Sequence, residues 1–261
     1  YFAFDKFVLD PARDQSKVEV AHQEGRTEAL VESFGEKSIA VLPFVDMSAD
    51  RDQEYMSYGI AEELLNLLAK IPELRVISRS SAFFFKGKDI DIPTVAQKLN
   101  VAYVLEGSVR TAGQQLRITA QLIEARSDTH LWSETYDRDL DDIFAIQEEI
   151  ARKVADALKV TLLGEDEARI AAQAVTDLSA YDLYLRGLQQ LNTDSYASLN
   201  EAVVTFGLAI EQDPGYLPAK LRLAQAWLDL AFTGAASQAE AVEKSQPTLT
   251  SIREKDPANA D

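Results

Sequence analysis

Residues 103–122 read YVLEGSVRTAGQQLRITAQL, and their hydrophobic period is two. Tyr103, Leu105, Gly107 and Val109 alternate with Val104, Glu106, Ser108 and Arg110, and after the turn Thr111–Gly113 the alternation resumes at Leu116, Ile118, Ala120 and Leu122. Successive side chains of a strand point to opposite faces, so this pattern specifies a β-hairpin with one buried face. A third strand is expected over Leu131–Tyr136, after the polar turn Ala125–Asp128. Upstream, Ser38–Phe44 is a short apolar run that reads as a buried strand. Gly59–Ile71 places Ile60, Leu64, Leu67, Leu68 and Ile71 at helical spacing, and Pro72 stops it. Leu74–Ser78 reads as a second strand, and Pro93–Leu99 as a short helix with proline in its first turn. Downstream, Ile143, Ile146, Ile150, Val154 and Leu158 share one face of a long amphipathic helix over Leu140–Leu162. The order βαβαβββα predicts an α/β fold, a mixed sheet of about five strands with helices packed on it and right-handed parallel crossovers at its start.

The remainder, 165–261, is helical throughout. Ala202, Phe206, Ala209 and Pro214 are spaced 4, 3 and 5, the small–aromatic–small–proline positions of the second helix of a tetratricopeptide repeat. Gly187 and Leu183 fall where the first helix has its signature, although the later aromatic of that signature is Gln190. Ala224 holds the corresponding small position in the next unit. Asp213-Pro214 and Asp256-Pro257 close helices with the same dipeptide, 43 residues apart, which places an insertion near Thr233–Gln238. The expectation is an α-helical tetratricopeptide-repeat solenoid whose array is truncated at 261; an ordinary helical bundle is the alternative.

The chain thus divides into a lead-in over 1–36, an α/β domain over 37–164 and a repeat segment over 165–261. Of the 261 residues, 43 are acidic and 26 basic, a net charge of −17. Phosphate backbones need a basic face, so this balance argues against direct nucleic-acid binding. The repeat segment carries 15 acids and 7 bases, net −8. A hydrophobic content of 46% excludes a disordered chain. With no cysteine there is no disulfide scaffold, thiol nucleophile or Cys-ligated metal, and an oxidising compartment is permitted. Tyr1, Phe2, Phe4 and Phe7 crowd the start of the lead-in, either as a membrane-interface cluster or as a terminus packing on its own domain.

Seven segments of the middle part carry a family resemblance: Ser38–Phe44, Gly59–Leu64, Leu74–Ser81, Leu105–Arg110, Arg117–Leu122, His130–Glu134 and Tyr136–Asp139. Their order and spacing are similar to those of the FlgO/TolB-amino-terminal-like domain. The resemblance implies a membrane-anchored bacterial regulator. A cytoplasmic output module, winged helix or class III adenylate cyclase, would come first, then one transmembrane helix just before Tyr1, then this domain and the repeats in the periplasm. That family supplies no catalytic residues to carry over. It usually has Asp before the glycine of the first helix, where this chain has Tyr58.

The chemistry visible in the sequence is sparse. His22 lies in the polar lead-in, and His130 begins a strand near Asp128 and Glu134 with no second histidine nearby. The acid pairs Glu62–Glu63, Asp141–Asp142 and Glu148–Glu149 read as dipole-favouring residues on or at the start of helices. No phosphate loop, metal set or cofactor motif is present, and no catalytic residue is assigned. One ligand site is conceivable at the shared edge of the first two strands, from Asp46, Ser78, Arg79, Ser80 and Ser81. There Arg79 would hold an anion, or, as the simpler reading, pair with Asp46, Asp50 or Asp52. Phe83-Phe84-Phe85 should split, with one or two rings inward, and Trp132 should pack on the sheet or core. The leading expectation is a non-catalytic periplasmic sensory and interaction region binding a protein or basic peptide in the repeat groove. The alternatives are a small-molecule sensor and an envelope-assembly scaffold.

Overall fold

A computed structural model describes residues 37–50, 53–162, 164, 166, 177–193 and 195–255, with the side chains of 251–255 excepted. The lead-in with His22, as well as Asp52 and Pro257, lies outside the described residues. The elements are β1 Ser38–Val41, β2 Val45–Asp46, α1 Glu54–Ala69, β3 Arg75–Val76, α2 Arg79–Phe83, α3 Ile92–Leu99, β4 Tyr103–Ala112, β5 Gln115–Glu124, β6 Thr129–Asp139, a 3-10 turn at Leu140–Asp142, and α4 Ile143–Ala157. Four further helices follow: α5 Leu178–Leu191, α6 Tyr196–Gln212, α7 Leu217–Phe232 and α8 Gln238–Lys255.

The sheet has six strands in the order β3-β1-β4-β5-β6, with β2 pairing farther along β4. β1 runs parallel to β3 and β4, while β4, β5 and β6 form an antiparallel meander. The hairpin is the one its alternation demands. Leu105, Val109, Leu116, Ile118, Ala120 and Leu122 are buried, and the intervening Glu106, Ser108, Arg110, Arg117, Thr119 and Gln121 are not. Gly113 turns the chain with φ +61°, the left-handed geometry that tight hairpins need. Gly107 leaves room for the buried ring of Phe44, since a Cβ there would lie 2.6 Å from Phe44 Cε2 and 2.3 Å from the Thr119 carbonyl oxygen.

Three sequence expectations change. The apolar run Ser38–Phe44 is not one strand. It breaks after Val41, and the chain re-enters the sheet as β2, which gives a sixth strand where about five are expected. Helix α1 begins at Glu54, five residues before Gly59. The helix expected over Leu140–Leu162 is shorter at both ends. It starts as a 3-10 turn and stops at Leu158, where Lys159 takes φ +53°, Lys159 N donates to Asp156 O and Val160 N donates to Ala155 O. This is a Schellman stop. Lysine carries no local signal for it, because the left-handed position is usually glycine.

α1 is buried along nearly its whole surface, from Tyr55 to Leu68. A helix with apolar residues on every face must be covered all round. It touches β1, β2, β3 and β4 on the sheet side, and α4 and α5 on the other. The buried apolar cluster accordingly runs without a break from Ile39 in β1 to Ala219 in α7. In the helical part each helix packs on the next. Asp177 and Ser195 cap α5 and α6, accepting backbone N–H bonds from Ser179 and Ala180 and from Ser198. Ala202, Phe206 and Ala209 are fully buried, and a Cβ on Gly187 would meet Phe206 Cε1 at 2.5 Å, so α5 and α6 approach closely at that pair. Pro214 follows the end of α6, Ala224 is buried in α7, and the α7–α8 connection falls at residues 233–237.

Candidate functional site

The motif Gly59-Ile60-Ala61-Glu62-Glu63-Leu64 lies where the sheet meets the helices. At Gly59 a Cβ would stand 2.4 Å from Leu185 Cδ2, so the missing side chain lets α1 and α5 cross. One turn on, Glu62 and Glu63 are 1% and 3% exposed. A buried carboxylate is costly unless it is paired or hydrogen-bonded; Glu62 is ion-paired to arginines and Glu63 accepts two hydrogen bonds. Arg222 of α7 donates from Nη2 to Glu62 Oε1 at 2.7 Å. Arg79 Nε of α2 stands 3.1 Å from Glu62 Oε2 as an ion pair, out of line for a hydrogen bond. Tyr184 of α5 donates its phenolic proton to Glu63 Oε1 at 2.9 Å, and Asn66 Nδ2 donates to the same oxygen at 3.3 Å.

Aromatic rings enclose these charges. Tyr184 meets Tyr216 edge-on, with centroids 5.1 Å apart, and lies 6.1 Å from Phe206. Tyr181 packs on Phe144 and accepts from Gln147 Nε2 at 2.8 Å. Burial, and then the Glu63 charge, push the Tyr184 and Tyr181 phenols well above their usual range, and burial does the same to Tyr216. Arg222 is held above its usual value despite burial, through Tyr184 and Glu62. Near the surface a second clasp joins the same helices. Tyr55 donates to Asp182 Oδ1 at 2.6 Å, and Arg186 donates to Asp182 Oδ2 at 2.7 Å and to the Tyr55 hydroxyl at 2.9 Å.

The residues expected to form a ligand site do not converge. Arg79 turns into the joint, donates from Nη2 to the Tyr58 hydroxyl and pairs with Glu62, rather than with Asp46 or Asp50. Ser78 precedes the short helix α2 and donates to Ser81 Oγ at 3.1 Å, with Ser80 and Ser81 exposed. Asp46 accepts from the backbone N–H of Ser48 and Gln53, which folds the loop after β2. Tyr58 stacks edge-on against Phe83 beside Arg79, and burial raises its pKa. Phe83 and Phe85 are buried and Phe84 is exposed, as the split expected. Trp132 is half-buried against the core, and its Nε1 donates to Glu134. His130 is exposed at the start of β6, and no three His, Cys, Asp or Glu side chains among the described residues gather into a metal set.

The pair Glu62–Glu63 lies on a helix, as expected, but the dipole-favouring reading does not hold for it. With α1 beginning at Glu54 they fall mid-helix. A signal for this lies in the flanks. Ile60, Ala61, Leu64 and Leu65 are apolar on every side, which is not the setting of a solvated acid. Chemically the joint is closed. Glu62 is occupied by two arginines and Glu63 by a phenol and an amide, which suits a fixed connection better than turnover.

Residues 35–153 match a family model described as HilA/YgeH-like transcriptional regulator, second domain. A protein of Rhizobium meliloti (strain 1021) named "Putative adenylate cyclase 3" is 44% identical over 186 residues, which is 71% of this chain and 32% of that protein. The matched stretch thus spans about a third of that relative's length. Among solved structures, TolB from Acinetobacter baumannii is similar at a TM-score of 0.36 and 15% identity, over 46% of this chain and 28% of that one. The lipoprotein GNA1162 from Neisseria meningitidis is similar at 0.36 and 16%, over 46% of this chain and 97% of that one. Over residues 35–153, the α/β part that carries the joint motif, the chain is therefore similar to the second domain of the HilA/YgeH-like transcriptional regulators.

Proposed function

We propose that this chain is the non-catalytic sensory and protein-interaction region, on the periplasmic side, of a single-pass inner-membrane signalling protein. In this reading α5–α8 are tetratricopeptide-type hairpins that bind a protein partner. The observation that carries it is the apolar surface those helices leave uncovered. Val204 and Leu208 on α6, Leu221, Leu228 and Phe232 on α7, and Val242 and Leu249 on α8 are all exposed, Phe232 at 93%. Leu221, Leu228 and Phe232 stand at i, i+7 and i+11, which is one face of a helix. Grouped apolar exposure of this kind marks interaction surfaces. The net −8 of residues 165–261 favours a basic partner. The matches to a regulator domain and to a protein with a cyclase name support a signalling context, with the output carried elsewhere in the parent. No helix among the described residues is long and apolar enough to cross a membrane, so the anchor in this reading lies outside them.

The test is substitution rather than truncation, because α5 and α7 complete the core of the sheet part. Leu228→Glu and Phe232→Glu, placed in the membrane-anchored parent, should leave the melting temperature unchanged, abolish site-directed cross-linking to the partner from α7 and alter signalling output. Unchanged output and cross-linking in both variants would show that this surface is not the binding site.

A further inference from the structure

The solvent face of the hairpin carries an electrostatic conflict. Arg110 of β4 and Arg117 of β5 are directly opposite in the antiparallel register. Like charges in that relation repel and weaken the pairing. Arg117 is relieved by its other neighbour, since its Nε and Nη2 donate to the two carboxylate oxygens of Asp137 on β6. Among the described residues Arg110 has no such relief. Its Nε donates to the Met47 carbonyl at 3.1 Å, and no carboxylate among the described residues pairs with it. In a chain of net charge −17, a guanidinium left over beside a second guanidinium is out of keeping with the rest of the surface.

The surroundings are built to match. A depression of about 250 Å³ opens on this face, lined by Met47, Ser108, Arg110, Arg117, Thr119 and Thr135. Ser108 pairs with Thr119, and Thr119 with Thr135, so three hydroxyls form a row across the strands next to the arginines. Thr119 and Thr135 are 3.1 Å apart at their hydroxyls. The wall is fixed: Thr111 N donates to Ser48 Oγ at 3.1 Å and Asp46 folds the loop that presents Met47. Guanidinium and hydroxyl donors around a small open cup are the chemistry that recognises an oxyanion. The volume lies below the range of drug-sized pockets and suits one phosphate or carboxylate group, with the rest of the ligand lying on the sheet.

We propose that this face binds a small anion through its phosphate or carboxylate group, with Arg110 as the principal donor and the Ser108–Thr119–Thr135 row beside it. The site shares no residue with the joint or with the apolar surface of the helices, and it stands apart from the partner-binding reading.

An isotope-labelled sample of the full chain would be titrated with sodium phosphate, with sodium acetate, and with sodium chloride at matched ionic strength. Saturable shifts of the Ser108–Arg110, Arg117–Thr119 and Thr135 amides are expected in the phosphate arm, the acetate arm or both, and not with chloride; the responding arm identifies the group. Arg110→Ala should weaken binding about tenfold. Asp137→Asn, which frees Arg117, should tighten it about threefold. Both positions are exposed, so both variants keep the fold. Absence of saturable shifts in both oxyanion arms, or an affinity that neither substitution moves, overturns the proposal.

Discussion

Tyr184 and Glu63 are 121 residues apart in sequence and 2.9 Å apart in space, phenol donating to carboxylate inside the core. The bond spans the boundary between the sheet part and the helices, and the phenol stays protonated because burial and the adjacent negative charge raise its pKa. Tyr184→Phe keeps the ring and removes the donor, leaving Glu63 under-satisfied. Such a loss costs about 1–3 kcal/mol. The urea midpoint should fall accordingly, with the sheet and helical signals unfolding together.

The Glu62 pair sets a larger effect. Arg222→Ala strips a carboxylate that is 1% exposed of its aligned donor and leaves only the oblique Arg79 contact. Breaking a buried ion pair from one side costs on the order of 3 kcal/mol. Adding Glu62→Gln should restore part of that loss, because the uncompensated charge is gone. A double-mutant cycle in urea measures both terms.

Two glycines one helix apart should respond in opposite directions. Gly187→Ala drives a Cβ to within 2.5 Å of Phe206 and should destabilise by about 1–3 kcal/mol. Gly207, within α6, faces open space, with nothing within 4 Å of where an alanine Cβ would stand. Gly207→Ala should therefore stabilise by about 0.5–1 kcal/mol through helix propensity. Thermal melts of the two variants decide the matter.

Alkaline pH should destabilise the fold through its buried tyrosines. Tyr181, Tyr184 and Tyr216 all titrate above their usual value when folded. Below about pH 10 neither state has lost these protons. Above it the unfolded chain ionises first, the folded state binds more protons, and stability falls as pH rises. Urea midpoints measured from pH 8 upward should therefore be flat and then decline from about pH 10. Tyr184→Phe, starting lower, should show the shallower decline.

What can be read from the residues is what is written locally. The hairpin is legible because ten alternating positions on each side of Gly113 leave one register, and α1 is legible because its leucines keep helical spacing to Pro72. β2 is not, being two residues that become a strand only because β4 extends past β1 to receive them. The rule that ligands gather at the edge of a sheet points Arg79 toward an edge loop. Its partner is instead Glu62, whose burial depends on Arg222, 160 residues away. Distances of that kind have no local signature, so the joint is invisible until the chain is folded.

The crossing at Gly59 and Leu185 has a mechanical meaning. Where two parts of a protein are strung on a linker, a pull on one is absorbed by the linker. Here α1 is shared masonry: the sheet leans on one side of it and α5 on the other, with a glycine in place of any cushion. Whatever grips α7 therefore tugs on Glu62 through Arg222, and so on the helix that backs β1, β3 and β4. The chain is laid out as modules in sequence but packs as one piece, so strain applied at the helices would reach the sheet with little slack.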